Sequence, residues 1–160
     1  MKILGVDPGL TKTGLGIIEV KNNNLFFVAS TTIHTNASDP LTIRLQQLHK
    51  SLVEFIQIHK PDESAIEETF INVNPTSSLK LGHARGSLIL TLGLCGLKVT
   101  EYSTTAVKKA IVGVGRADKN QIGTMIKILL PKAVCKSEDE ADALAVAICH
   151  NNNSAFYRKF

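Results

Sequence analysis

The chain opens on an apolar run, Ile3-Leu4-Gly5-Val6, that is cut off at once by Asp7-Pro8-Gly9. A short, unbroken apolar stretch bounded by turn residues marks a strand buried on both faces. Such a strand belongs in the middle of a sheet, so the segments that follow have to flank it. Gly14 to Val20 is a second apolar stretch, Asn22-Asn23-Asn24 reads as a turn, and Leu25 to His34 is rich in β-branched and aromatic residues. Three strands joined by short loops predict an antiparallel meander. A helix follows, with Ser38 or Asp39 as cap and Pro40 in its first position. Leu41, Leu45, Leu48, Leu52, Phe55 and Ile56 recur on one face of it, and Lys60-Pro61-Asp62 ends it. Ser64 to Glu67 then returns as a short strand after a crossover helix, hence parallel to the first.

The second half alternates in the same way. Thr76 or Ser77 opens a helix with Gly82, Ala84 and Gly86 in its middle, and Leu97 to Tyr102 reads as a fifth strand. Ser103 caps a short helix to Ile111, Asp118 caps one running to Leu130, and Ser137 opens the last, with Glu138, Asp139 and Glu140 in its first turn. The fold class is therefore α/β: a mixed five-stranded sheet, three antiparallel strands then two parallel, with helices on both faces. In sheets of this kind the ligand crevice lies at the carboxyl ends of strands where the winding reverses. Here those are the first and fourth strands, which end at Asp7 and Glu67.

One domain over residues 1–150 is expected, followed by a polar, frayed tail at 151–160. No apolar run reaches the roughly 20 residues that span a bilayer. The start, MKILGVDPG, turns polar too soon for a signal peptide. Cys95, Cys135 and Cys149 are scattered and odd in number, and the histidines lack zinc-ligand spacing. These features predict free thiols, no membrane association and a cytoplasmic location. Charge is unevenly spread: acids outnumber bases eight to six up to Leu79, and bases outnumber acids twelve to six from Lys80 onward. Such asymmetry suits a polyanion binder, although a solvated lysine-rich face has the same composition.

Four carboxylates stand at the edges of apolar segments: Asp7, Glu67, Asp139 and Asp142. An uncompensated charge is costly there, and clustered carboxylate oxygens call for a hard cation such as Mg²⁺ or Mn²⁺. Asp7, Gly9, Thr11 and Gly14 form a D-x-G-x-T-x-x-G pattern that serves either a metal on the aspartate or the phosphates of a nucleotide. Glu67 and Glu68 are adjacent on a strand and point to opposite faces; periodicity alone does not choose between them. Asp139 and Asp142 share a helix face at i, i+3, while Glu138 and Asp142 compete at i, i+4. Acids in a first helical turn also simply suit the helix dipole.

ILGVDPGLTKTGLG, AIEETF, SLKLGHARG, VKKAIVGVGRADKNQ and DEADALAVAICH, in that order, resemble the RuvC family of bacterial Holliday junction resolvases, members of the RNase H-like nuclease superfamily. The likeness runs from about Lys2 to His150. It implies an RNase H-like fold and four catalytic, metal-binding carboxylates at Asp7, Glu67, Asp139 and Asp142. It takes Glu67 over Glu68 because the family's glutamate directly follows Ala-Ile; Glu68 itself is a departure, a charge where a neutral residue is expected. Family members vary at the position of Asp139, which can be His.

The resemblance further implies that Phe70 stacks on a base near the crossover, and that Lys108 and Lys119 hold the scissile strand through its phosphates. Arg116 and Arg85 are carried as DNA contacts. Arg85 also lies on the helix that resembles the family's dimer interface. The implied reaction is phosphodiester hydrolysis with two Mg²⁺ ions, for which Mn²⁺ substitutes, leaving 5′-phosphate ends. The implied partners are four-way junction DNA, a second copy of the chain and the RuvA–RuvB branch-migration complex. Two rivals stand beside this reading. One is a non-catalytic module that binds branched DNA. The other is a fragment of an actin-like ATPase or kinase, which shares the D-x-G-T opening but needs a second such domain.

Overall fold

The computed structural model describes residues 1–68, 75–113, 115 and 119–157, with 119, 120 and 155–157 described by their backbone alone. Its strands are β1 (Lys2–Asp7), β2 (Lys12–Lys21), β3 (Asn24–His34), β4 (Glu63–Glu67) and β5 (Val99–Tyr102). Its helices are α1 (Leu41–His59), α2 (Pro75–Leu94), α3 (Thr104–Val112), α4 (Lys119–Leu129) and α5 (Glu138–Tyr157). The sheet order is β3-β2-β1-β4-β5. β1–β2 and β2–β3 are antiparallel, β1–β4 and β4–β5 parallel. The opening apolar run is thus the central strand. Asn22 and Asn23, both with positive φ, turn the chain between β2 and β3, as a two-residue hairpin loop requires.

Strand alternation divides the sheet into two cores. Leu4, Val6, Leu15, Ile17 and Ile66 face α1 and α2, where Leu48, Leu52, Leu88 and Leu92 meet them. Ile3, Ile18 and Ala65 face α5, which α3 and α4 cover in turn. The central stretch of α5, Ala143 to Cys149, is buried throughout.

Helix α5 lies against the sheet with almost nothing between the two backbones. Gly5 pairs with Gly16, and Gly14 with Asp7. A Cβ on Gly5 would fall 2.0 Å from the Ala143 carbonyl oxygen, and one on Gly14 1.9 Å from that of Asp139. Polar contacts fasten the helix at its start and again past its middle. At its start Thr32 and Ser137 share a hydrogen bond of 2.7 Å, and Ser30 donates to Glu140 at 2.7 Å. Farther along, His150 lies between Glu63 (2.8 Å) and the Tyr102 hydroxyl (3.0 Å).

One expectation needs adjustment. Pro40 occupies the N-cap of α1 and offers no side-chain cap, whereas Ser38 or Asp39 was expected there. The backbone amides of Ser38 and Asp39 bond to Asn36 in the preceding turn, so the chain enters the helix one residue later. The last helix continues through Tyr157. Asn153 braces this extension by donating to the Cys149 carbonyl oxygen at 2.8 Å. The Asp118 cap lies outside the described residues. Ser103 does cap α3, accepting from the Ala106 amide. The three cysteines are free thiols. Among the described residues no helix is long and apolar enough to cross a membrane.

Candidate active site

Strand parity aims two acids at α5. Asp7 follows Ile3 and Gly5 at two-residue steps, and Glu67 follows Ala65, so both fall on the α5 side of adjacent parallel strands. Glu68 follows the end of β4 and is not among the residues that line the cavity described next. Asp142 meets them from the first turns of α5. Asp7, Glu67 and Asp142 line one cavity of about 200 Å³, with Thr104 and Lys108 from α3 and an apolar rim that includes Val107 and Ile122.

Glycines in the opening motif make this convergence possible. A Cβ on Gly9 would fall 2.0 Å from the Lys12 carbonyl oxygen, so only glycine permits the tight loop after Asp7. That loop is also tied internally, by Thr13 donating to the Gly9 carbonyl at 2.6 Å. Arg44 of α1 is buried and donates to Thr11 and Thr35, each at 2.9 Å. It fixes the D-x-G-x-T segment from beneath. Nothing in the helical pattern distinguished Arg44 from a solvent-facing base.

The electrostatics favour a cation. Burial pushes the Glu67 carboxyl above its usual range. The Thr104 hydroxyl, which donates to Glu67, opposes this; the Asp142 charge adds to the rise, and Lys108 lowers it. As the side chains lie, the described residues contain no group of three or more His, Cys, Asp or Glu already gathered to hold a metal ion. The donor set nonetheless fits one. Three hard carboxylates from three elements face a single small cavity, and their repulsion disfavours closer approach without a compensating charge.

Asp139 stands apart from these three. Its backbone rests on Gly14, one turn before Asp142, and it is not a wall of this cavity. Glu138 joins Asp142 in lining a second cavity of about 480 Å³ between α4 and the start of α5, where Lys127 and Lys136 are also found. Lys119 opens α4, with its backbone alone described; Phe70 and Arg116 lie outside the described residues. The Arg85 guanidinium is turned to the protein: Nε donates to the Glu67 carbonyl oxygen at 3.2 Å, and Nη2 pairs with Glu101.

Glu140 is a residue that sequence reasoning passed over as one more acid in a first turn. It is 4% exposed, and it accepts from Ser30 and from the Lys136 amide. Ser137 accepts from the Glu140 amide at 3.2 Å. The S-x-x-E spacing of a capping box was the available signal.

Comparison with known proteins agrees with this architecture. A sequence model of crossover junction endodeoxyribonuclease RuvC matches residues 3–150. The crossover junction endodeoxyribonuclease RuvC of Rhizobium etli is 50% identical over 158 residues, covering 99% of this chain and 94% of that protein. Thermus thermophilus RuvC, solved in complex with a Holliday junction substrate, superposes with a TM-score of 0.91 at 28% identity, covering 98% of this chain and 96% of that one. The yeast mitochondrial Holliday junction resolvase shares the fold, with a TM-score of 0.68 at 11% identity over 99% of this chain and 82% of that one. The expected RNase H-like sheet, three antiparallel strands followed by two parallel, is the one observed. The nuclease chemistry of such relatives implies a divalent metal, in keeping with the carboxylate set. On sequence and architecture together, the chain belongs to the RuvC family of crossover junction endodeoxyribonucleases.

Proposed function

We propose that this chain is a structure-selective endonuclease that resolves Holliday junctions by paired symmetric nicks, in DNA recombination and repair. The observation that carries this reading is the convergence of Asp7, Glu67 and Asp142, from β1, β4 and α5, on one cavity beside Lys108. Asp7, Glu67 and Asp142, with Asp139 completing the set, would hold two Mg²⁺ ions; Mn²⁺ would substitute. Bound there, the metal pair supplies an activated water and stabilisation of the leaving 3′ oxygen.

The chain's own groups do the rest. Thr104 donates to Glu67 and holds its carboxylate in the cavity. Lys108, whose charge is felt at Glu67, and Lys119 position the scissile strand through its phosphates. Arg116 adds a further DNA contact, and Phe70 stacks on a base at the crossover, an interaction worth about 1–3 kcal/mol. Two copies pair through α2, whose Leu79, Leu90 and Leu94 are exposed. A two-fold dimer matches the symmetry of a four-way junction. The products keep 5′-phosphates that a ligase can seal, and the RuvA–RuvB complex is the partner that delivers the junction.

The test is a synthetic four-way junction incubated with protein and Mg²⁺. The wild type is expected to give symmetric nicks. Asp7→Asn is expected to lose them by more than about 10³-fold, because a metal ligand is worth several kcal/mol of transition-state stabilisation, while still shifting the junction in a gel. Nicking retained by Asp7→Asn would remove the metal-site assignment. Wild-type protein that shifts the junction and leaves it uncut would mean a non-catalytic binding module.

A further inference from the structure

Arg85 was expected at the DNA. Its side chain is only 20% exposed, and two of its nitrogens bond within the protein. It reaches from α2 to the ends of two parallel strands. Nε donates to the main-chain carbonyl of Glu67, the last residue of β4, and Nη2 pairs with the Glu101 carboxylate on β5. Glu101 is paired in register with Ile66 and Glu67 with Tyr102, so the guanidinium spans neighbouring rungs of one ladder. Parity explains the geometry. Val99 and Glu101 face the α2 side of the sheet, whereas the Glu67 side chain faces α5.

One planar fork therefore holds, from behind, the peptide group from which the Glu67 side chain projects into the cavity. Lysine has no equivalent: an ammonium is a point charge on a flexible stem, without the rigid pair of donors that engages a carbonyl and a carboxylate together. The Glu67 side chain has its own anchor in Thr104, so its position is set at both ends, by α3 from the front and α2 from the rear.

We infer that Arg85 is a positioning residue for Glu67, anchored by Glu101, and that it is not a DNA-phosphate contact. This rests on the nuclease reading for its activity arm and on metal affinity alone for its second arm. In the full-length protein, Arg85→Ala is expected to lower the single-turnover nicking rate at saturating junction by about 10–100-fold, since a displacement near 1 Å costs roughly 10²-fold. Mn²⁺ affinity, measured by calorimetry without DNA, is expected to fall about tenfold. The junction Kd in Ca²⁺ and the slope of log Kd against log salt are expected to stay unchanged. Arg85→Lys should recover only part of the rate. Glu101→Gln should move rate and Mn²⁺ affinity in the same direction, and adding it to Arg85→Ala should cost little more, as for two members of one contact.

A phosphate contact predicts the reverse: weaker junction binding at every sequence and a salt slope reduced by about 1. That result, or an unchanged rate and Mn²⁺ affinity in Arg85→Ala, overturns the inference. If Arg85→Ala does not fold, Glu101→Gln carries the same test. If wild-type protein fails to nick junctions, the nuclease reading falls, while the Mn²⁺ comparison still decides the role of Arg85.

Discussion

Gly14→Ala tests how the acids are brought together. Gly14 is the β-ladder partner of Asp7 and faces α5. Its added Cβ would sit 1.9 Å from the Asp139 carbonyl oxygen and 2.5 Å from the carbonyl carbon. Both are backbone atoms, so no rotamer change relieves the clash. Ordinary contact requires the helix to back away by about 1.5 Å. The Thr32–Ser137 and Ser30–Glu140 bonds hold the start of α5 to β3, so they must stretch or break as it does so. Overpacking of this kind costs about 1–3 kcal/mol, or ~2–4 °C in Tm for each kcal/mol in a domain of this size. Asp139 moves directly, and Asp142, one turn further along, moves with it.

A shift near 1 Å in a reacting constellation costs roughly 10²-fold in rate. Gly14→Ala is therefore expected to fold, to bind a synthetic junction in Ca²⁺ as the wild type does, and to nick it about 10²-fold more slowly in Mg²⁺. Single-turnover cleavage beside a thermal melt measures both effects. A folded variant that cuts within threefold of the wild type would refute the idea that backbone contact between sheet and helix places these carboxylates.

Two further outcomes concern single acids. Glu67→Gln is expected to raise the Tm of the metal-free protein at pH 8, because burial, assisted by Asp142, raises the carboxyl it replaces. The wild-type charge is unfavourable above that raised pKa, so the advantage should grow as pH climbs out of the ordinary carboxylate range and vanish near pH 4; a lower melt for Gln in EDTA at pH 8 would contradict this. Glu140→Ala should lose about 1–3 kcal/mol in urea unfolding, as two part-buried hydrogen bonds to a charged acceptor are removed, with Glu140→Gln recovering part; full stability in the alanine variant would show that the Ser30 and Lys136 contacts contribute nothing net.

Much of the fold was legible because local and global signals agree. The apolar run at Ile3 to Val6, the asparagine turn and the crossover helix each specify what the sheet requires. Asp7 and Asp142 were legible for the same reason, since each ends or begins a segment that has to be buried. Glu67 against Glu68 was not. β4 is apolar on both faces, Ala65 toward α5 and Ile66 toward α2, so hydrophobicity carries no parity signal. Partners distant in sequence were hidden as well. The partners of Arg44, Arg85 and Glu140 are not visible in the sequence, because Thr11, Glu101 and Ser30 are brought to them only by tertiary structure. Pro40 shows the local limit: the Asn36 turn competes for the backbone that a cap would use.

The polar network of Glu63, His150 and Tyr102 has a consequence for how this chain can vary. Asp142 and His150 are carried on one uninterrupted helix, and each must face its own partners on the sheet. A residue inserted or deleted between them would turn everything downstream by about 100°. The helix could then satisfy the acid's surroundings or the histidine's, never both. Between these two positions side chains can be exchanged, but length cannot: the segment is a ruler whose graduations are angular, and drift in its length is closed to the chain even where drift in its composition is open.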